Sequence, residues 1–435
     1  MMKVIYSADR QTLNEESNEH LQKLQEQEKS SLLARAMLVC ILLCLGVMLI
    51  ARVLLAKNSS TDVTGLETNV VHGMQALLSN GRLYFPANAL PDAIAQYSPL
   101  FYYLCAATAW LFDLGPGNVH ELYLIGSLWN ILISSASLLA VYLIMNHVLR
   151  VNLVLAAVAA LGAFILQPKL EHSVFADNLY EAMTIWGVYF FLQYLAHKRE
   201  SKDVPEYLYL AMCLAVASMF VEQSGVQLPI LMGAFLLFTN NWRGTWFFFL
   251  SSTILFTCLL GFFWGLYGEA FLQSVVSGAA SGMALGSFGG STLKLDDPGD
   301  FPIMLVRLLI PAALGVILSL YRWLAFKGNL LERFFAFSIL GMLAFAVVKA
   351  VQVGFDVQHF YISFLLTFLF ALYSFWKKAR LYTGGSLSAA RLQTAFAMYV
   401  CMLLVFNTAE DLSRLKHKYL KEVGAKTEDA MVVRK

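Results

Sequence analysis

Long apolar stretches separated by short polar connections dominate this chain. Eleven of them approach or exceed the length needed to cross about 30 Å of hydrocarbon; they lie at residues 33–56, 121–147, 151–167, 179–196, 207–221, 225–240, 245–267, 303–320, 333–349, 357–376 and 391–407. A twelfth stretch, YSPLFYYLCAATAWLF at 97–112, is shorter and carries Pro99 near its start. The pattern predicts an all-α protein that spans a membrane many times.

The basic residues of the connections predict the orientation of these spans. If 97–112 does not cross the membrane, the connections NHVLR, HKRESK, NNWRG, YRWLAFKG and FWKKAR all face one side. The positive-inside rule identifies that side as the cytosol. We therefore expect about 11 transmembrane helices, with 97–112 as a helix at the outer interface and the N-terminus inside. The basic C-terminal tail, which this topology places outside, is the one feature that disagrees with the positive-inside rule.

The topology divides the chain into a cytosolic N-terminal tail (1–32), a transmembrane domain (33–407) and a C-terminal tail (408–435). Within the domain, 57–120 forms the first outer loop with juxtamembrane helices, and 268–302 forms a Gly- and Ser-rich, flexible outer loop. The unusual polar residues fall in the connections that face outward. We therefore expect the chemistry of the protein to face one compartment.

Composition agrees with a membrane protein and excludes some other classes. Hydrophobic residues make up 58% of the chain and charged residues only 14%, whereas about a quarter of a soluble domain is charged. A net charge of +2 gives no reason to expect nucleic acid as a partner. The six cysteines lie in or beside apolar stretches without a CxxC pair, which is typical of small core residues rather than disulfides or metal ligands.

One acidic residue stands out in the first outer loop. A helix wound from Leu66 has one apolar face, and Glu67 is the only charged residue on it. A carboxylate in that place can act as a general base. It can equally complete a capping box with Thr64 and only hydrogen-bond the start of the helix. Asp177 opens a later span and has the same two interpretations, a site role or a helix cap.

The residues around Glu67 resemble a known family. An acidic residue leading a helix after the first span, a helix that ends in NGRLY, and then YSPLFYYL are similar to the polytopic C-type (GT-C) glycosyltransferases. The resemblance is to family 39 above all, with its protein mannosyltransferase and aminoarabinose transferase relatives. Looser similarities are FADNLYEAMTIWGVYFF, VEQSGVQLP and VGFDVQHFYIS. Three residues depart from the family pattern, namely Leu66 before Glu67, Ser98 in place of Pro, and Glu222 where Lys is common.

The resemblance implies a GT-C-like helical bundle and a membrane glycosyltransferase. Such an enzyme moves a sugar from a polyprenyl-phosphate-linked donor to a lipid, polysaccharide or protein acceptor at the outer face of the membrane, with inversion. Glu67 matches the catalytic base, and Asp177 is implied as a second catalytic residue. The expected location is the bilayer of a bacterial inner membrane, with the active site facing outward.

The donor and its phosphate need further partners, and the candidates are of two kinds. Cationic side chains near the outer ends of spans are candidates to bind the phosphate, although each can also extend along the lipid interface; they are Arg82, Lys169, His172, Lys294, Lys349 and His359. Lys349 and His359 flank one outer turn and are favoured. Tyr97 and Tyr102 of the YSPLFYYL motif are expected to contact substrate. Glu222 and Gln223 are interpreted as solvated residues of a tight turn.

No cofactor is required by this interpretation. A divalent metal is left open, although no metal-binding motif supports one. Two other functions remain: a transporter or flippase with Glu67 and Asp177 as gating carboxylates, and a polysaccharide polymerase or ligase. A transporter is expected to carry ionisable residues in the middle of its spans, whereas the acidic residues here cluster at the predicted outer ends.

Overall fold

The computed structural model is helical throughout the part of the chain that it describes. That part comprises residues 66–85, 95, 98–166, 174, 176–199, 204–277, 329–353 and 357–382, with parts of 35–56 and 310–321. In it 88% of the residues are helical and no strand occurs. The all-α fold class is therefore confirmed for the described residues. Both terminal tails, the predicted span 391–407 and most of the 268–302 loop lie outside them.

Apart from the four-residue helix Glu269–Leu272, ten helices build the described bundle. They are α1 (Leu66–Asn80), α2 (Pro99–Leu111), α3 (Val119–Leu143), α4 (Leu153–Leu166), α5 (Asp177–Arg199), α6 (Pro205–Met219), α7 (Gln227–Phe238), α8 (Trp242–Tyr267), α9 (Leu330–Val353) and α10 (Tyr361–Tyr382). A π-helical turn, Ile144–Val148, continues α3, and 3₁₀ turns at Gln223–Val226 and Val357–Phe360 precede α7 and α10. Ile41–Leu54 and Ala312–Tyr321 are further apolar helical segments.

Three of the described helices are long and apolar enough to cross a membrane. They are Val119–Val148, Trp242–Tyr267 and Leu330–Lys349. Several other predicted spans form shorter apolar helices; α7, with 12 residues, rises only about 18 Å. The described residues therefore support a membrane protein without confirming the predicted count of about 11 spans.

Helix α5 lies at the centre of the bundle and packs against α3, α6, α7 and α9. Aromatic side chains fill the space between these helices. The ring centroid of Phe334 on α9 lies 4.8 Å from that of Phe191 on α5 and 5.1 Å from that of Phe235 on α7. All three rings are buried. Because α5 is enclosed in this way, the residues of its first turns are fixed relative to the neighbouring helices.

Helices α1 and α2 pack together beside the start of α3. Helix α1 ends at Asn80, and Gly81 follows with a φ of +65°, a backbone conformation that glycine adopts without strain. The ring of Tyr102 on α2 lies so close to Gly73 that a Cβ atom there would stand 2.4 Å from it. Helix α2 has 13 residues and rises about 20 Å. This is shorter than the hydrocarbon core, but so is α7, and whether 97–112 crosses the membrane stays a prediction.

The connections predicted to face outward meet at one end of the bundle. The starts of α5 and α10 lie there with the ends of α6 and α9. The end of α8 joins them through α2. The Leu100 N–H at the start of α2 donates to the Phe220 carbonyl oxygen after α6 at 3.0 Å, and the hydroxyl groups of Tyr103 on α2 and Tyr267 at the end of α8 are hydrogen-bonded. At the opposite end, Glu332 near the start of α9 pairs with Lys377 near the end of α10. The two ion pairs of α9 therefore lie at opposite ends of the bundle.

Candidate functional site

A polar cavity lies where the starts of α5 and α10 meet the ends of α6 and α9. It has a volume of about 50 Å³, enough for a few water molecules. Its lining combines carboxyl, hydroxyl, amide, ammonium and imidazole groups with two apolar side chains; the residues are Asp177, Tyr180, Glu181, Glu222, Ser224, Gln227, Met342, Lys349, His359, Ile362 and Ser363. Such a concentration of ionisable side chains in a helical bundle identifies a candidate functional site.

An ion pair forms one wall of the cavity. The Lys349 Nζ atom donates hydrogen bonds to Glu222 Oε1 at 2.6 Å and to Ser224 Oγ at 2.7 Å. Ser224 Oγ in turn donates to Glu222 Oε1 at 2.7 Å. The Glu222 side chain is 8% exposed and that of Lys349 is 28% exposed. The three side chains hold one another in a closed arrangement that joins the end of α6 to the end of α9.

The turn after α6 presents Glu222 to the cavity because of a close backbone contact. Gly225 lies against Ser218, and a Cβ atom on Gly225 would stand 2.3 Å from the Ser218 carbonyl carbon. The Ser218 hydroxyl is 2.8 Å from the Ala215 carbonyl oxygen and 3.3 Å from that of Gly225. Only glycine allows the chain to return this closely. The tight return fixes where the extended residue Glu222 points.

The surroundings of Glu222 change its affinity for a proton. Burial by itself raises the pKa of this carboxyl group, but the Lys349 ammonium, a hydrogen bond from Ser224 and a side-chain hydrogen bond with Asp177 lower it. The interactions that lower the pKa outweigh the effect of burial, so the pKa of Glu222 lies below its ordinary value. Glu222 is therefore an anion under physiological conditions.

Helix α5 supplies two more carboxyl groups to the cavity. Asp177 and Glu181 are one turn apart and lie on the same face of α5. Glu181 is 3% exposed, and its Oε2 atom has no hydrogen-bond partner among the described residues. A buried carboxyl oxygen without a partner is costly, so this atom identifies a place for a proton, a water molecule or a ligand.

The structure brings three of the predicted site residues together. Asp177, Lys349 and His359 come from three separate parts of the chain and line the same cavity. His359 lies in the 3₁₀ turn before α10 and is half-buried. Three side chains capable of acid–base chemistry or anion binding therefore share one small space.

Glu67 is buried in the first turn of α1 and does not line this cavity. It nevertheless lies near the same end of the bundle. The hydroxyl group of Thr68, the next residue, is 3.0 Å from that of Tyr123 on α3. Three residues further along α3, Gly126 contacts Val174, just before the start of α5. The starts of α1 and α5 thus pack against neighbouring turns of α3, about 5 Å apart along its axis.

The remaining predicted site residues lie elsewhere. Arg82 is exposed after the end of α1. Tyr102 is fully buried between α1 and α2, where its ring packs against Gly73, and it does not line the cavity. Tyr97 and Lys169 lie outside the described residues, as do His172 and Lys294.

The interpretation of Glu222 as a solvated turn residue is wrong. Its side chain is buried and ion-paired, because the turn folds back onto α6 and meets α9. Glu181 was not singled out from the sequence either. Its spacing of four residues from Asp177 is a signal that could have revealed it, since this spacing places both carboxyl groups on one helical face.

Metal binding finds no support in the described part of the chain. No group of three or more His, Cys, Asp or Glu side chains there has the geometry to hold a metal ion.

Comparison with known proteins gives a likeness in fold. No protein-family model matches the chain, and no curated protein matches it significantly. Among solved structures, the apo form of the oligosaccharyltransferase from Archaeoglobus fulgidus superimposes with a TM-score of 0.57 at 14% sequence identity. The alignment covers 88% of this chain and 56% of the archaeal one.

Two further structures of this archaeal enzyme agree. One, tethered to an acceptor peptide containing the NVT sequon, gives a TM-score of 0.51 at 14% identity over 86% of this chain and 55% of that chain. The other, in complex with an inhibitory peptide and a dolichol-phosphate, gives 0.50 at 14% identity over 87% and 55%. The likeness is one of fold, and it leaves the family 39 resemblance unconfirmed. The chain therefore shares the fold of an oligosaccharyltransferase over about half of that protein's length.

Proposed function

We propose that this protein transfers a sugar from a polyprenyl-phosphate-linked donor to an acceptor at the outer face of the membrane, with inversion of the anomeric centre. The observation that carries the proposal is the fold likeness over 88% of the chain to an oligosaccharyltransferase. One structure of that enzyme holds a dolichol-phosphate, a lipid phosphate of the class proposed here. The polar cavity at one end of an apolar bundle supports the same class of substrate.

Glu67 is the proposed general base. An acceptor hydroxyl group attacks the anomeric carbon efficiently only if a carboxylate takes its proton, and single-step inversion requires this base on the face opposite the leaving phosphate. The start of α1, which carries Glu67, and the segment just before α5, which carries Asp177 of the cavity, pack against neighbouring turns of α3. A sugar bound between them would have a base on one face and polar groups on the other.

Lys349 and His359 are the proposed partners of the leaving phosphate. Negative charge grows on the phosphate as the glycosidic bond breaks, and cationic or hydrogen-bond-donating groups fixed in advance stabilise that charge. Lys349 is already oriented by Glu222 and Ser224 at the cavity wall. Asp177 completes the proposed site from the first turn of α5.

The positions of the charged residues favour surface chemistry over transport. In the described helices, Asp, Glu, Lys and Arg side chains lie near the helix ends. The two ion pairs, Lys349–Glu222 and Lys377–Glu332, lie at opposite ends of α9, which are separated by about 25 Å of helix. A proton or ion path would require acidic or basic side chains between them, and the described helices carry none there.

Mass analysis of cell-envelope glycolipids with and without the gene tests the proposal. We expect one glycosylated product to disappear in the deletion strain and to return with the wild-type gene. Purified protein is then expected to form that product from polyprenyl-phosphate-linked sugars in lipid vesicles. An unchanged glycolipid profile together with no transfer in vesicles would overturn the proposed activity.

A further inference from the structure

The lining of the polar cavity divides into a rim and a floor. The rim consists of the half-buried lining residues, which are Asp177, Ser224, Lys349 and His359. The floor consists of five lining residues that are at most 9% exposed, namely Glu181, Gln227, Met342, Ile362 and Ser363. Glu181 lies one turn of α5 further into the bundle than Asp177, and Met342 lies two turns of α9 further in than Lys349. The proposed partners of the phosphate therefore belong to the rim, and a second group of residues lies deeper.

The floor offers a hydrogen-bond acceptor that no described residue uses. Glu181 is 3% exposed, and its Oε2 atom has no hydrogen-bond partner among the described residues. The Ser363 hydroxyl donates to the Phe360 carbonyl oxygen at 2.8 Å, so its own oxygen can still accept a hydrogen bond. The Gln227 amide can donate and accept. A buried carboxyl oxygen without a partner is costly, so the floor suits a ligand group that donates a hydrogen bond.

The charges of the whole cavity narrow the choice of ligand group. Its lining has three carboxyl groups, those of Asp177, Glu181 and Glu222, and Lys349 already binds Glu222. His359 is the other basic side chain in the lining. An anionic ligand group at the floor would lie against Glu181 in a cavity that is already rich in carboxyl groups. A hydroxyl group fits Glu181 in either protonation state, because a hydroxyl can both donate and accept a hydrogen bond.

The size of the cavity narrows the choice further. A volume of about 50 Å³ holds a few water molecules and is too small for a whole sugar ring. A hydroxyl group on a ring carbon projects from the ring by one heavy atom, whereas the hydroxymethyl group of a hexose projects by two. Its carbon can pack against the apolar side chains of Met342 and Ile362 while its hydroxyl group reaches Glu181. The floor thus matches the part of a hexose that extends beyond the ring.

We propose that the floor binds the hydroxymethyl group of a hexose and that Glu181 accepts a hydrogen bond from its hydroxyl group. This inference rests on the proposed sugar transfer and names the substrate class, a hexose linked to the polyprenyl phosphate. The phosphate then lies at the rim, beside Lys349 and His359, and the hydroxymethyl group lies at the floor. Glu181 determines which sugar binds, and Glu67 remains the base of the reaction.

Competition binding to the full-length protein in lipid nanodiscs tests this subsite and requires no transfer. Radiolabelled polyprenyl phosphate is the tracer. Unlabelled polyprenyl-phosphate-linked sugars displace it in pairs that differ only in the hydroxymethyl group: glucose and xylose, galactose and L-arabinose, and mannose and lyxose. In at least one pair, the hexose should bind about 10–100-fold more tightly than the pentose, the gain typical of a hydrogen bond to a charged group.

Variants of Glu181 connect this preference to the floor. Glu181→Leu should lower the affinity for the hexose to that for the pentose and leave the affinity for the pentose unchanged. Glu181→Gln keeps an acceptor oxygen in the same place, so it should retain part of the preference, and it guards against a variant that does not fold. The control Glu332→Gln, which breaks the ion pair at the opposite end of α9, should keep the full preference.

Equal affinities or no displacement within every pair, or a preference that survives in Glu181→Leu, would overturn this inference. Polyprenyl-phosphate-linked N-acetylglucosamine is a further probe. If it binds more tightly than the glucose compound and Glu181→Leu removes that gain, the floor binds an acetamido group and the inference is wrong. A hexose preference in a protein that transfers no sugar would contradict only the proposed function. Sugar transfer with equal affinities within every pair would contradict only this inference.

Discussion

Removing one partner of the Lys349–Glu222 ion pair is expected to have unequal effects on stability. Breaking a fully buried ion pair costs about 3–5 kcal/mol. Lys349 is 28% exposed, and water offsets part of this loss. Glu222→Gln should cost only about 1 kcal/mol, because Lys349 can pair with Asp177 instead. Lys349→Met should cost about 2–3 kcal/mol, because it leaves the Glu222 carboxylate buried without a cation.

Unfolding of the purified protein in micelles measures these values, and the double variant supplies the coupling energy. In protein that already carries Glu222→Gln, Lys349→Met should lower the free energy of unfolding only a little further. The difference from its effect in the wild-type protein is the coupling energy, which we expect to be about 1–2 kcal/mol. Glu332→Gln serves as the matched control, because Glu332 is fully buried and pairs with Lys377 at the opposite end of α9. Additive effects of the two substitutions, or a larger cost for Glu222→Gln than for Lys349→Met, would refute this account of the cavity.

Three further outcomes follow from the geometry. Gly225→Ala should destabilise the protein by about 2 kcal/mol or more, measured by unfolding, because its Cβ would stand 2.3 Å from a backbone carbonyl carbon; wild-type stability would mean that the turn is not tight. In a cysteine-free background, Asn80→Cys should react with an impermeant thiol reagent added outside, and Arg199→Cys should not. Labelling of both cysteines from one side would contradict the placement of these two helix ends on opposite sides of the membrane. The stability contributed by Glu222 should be complete at neutral pH and decline as the pH falls below about 4.5, because its folded pKa is lowered; an equal decline in Glu222→Gln would exclude that group.

The sequence predicts the parts of this fold that depend on local patterns. The long apolar stretches predict the all-helical fold of the described residues, whereas the orientation that the basic connections predict stays a prediction. Asp177, Lys349 and His359 were predicted as site residues because each lies at the predicted outer end of a span.

The partners of these residues depend on tertiary contacts that no local pattern encodes. Lys349 pairs with Glu222 across 127 residues of sequence, and the turn that buries Glu222 follows from the contact between Gly225 and Ser218. From the sequence alone, a Glu beside a Gly in a short connection is typical of a solvated turn. The number of spans is also not fixed by hydropathy, because several apolar stretches form helices shorter than a membrane is thick.

Sugar transfer by Glu67→Gln tests the central claim most directly. Glutamine keeps the shape of the side chain and can still hydrogen-bond the start of α1, so a capping role predicts near-normal folding and transfer. A base role predicts normal expression and donor binding with a loss of about 10²–10⁴-fold in the rate of the chemical step. We predict that loss in a single-turnover assay with a polyprenyl-phosphate-linked sugar, with unchanged donor affinity. Transfer by Glu67→Gln at close to the wild-type rate would contradict the assignment of Glu67 as the base.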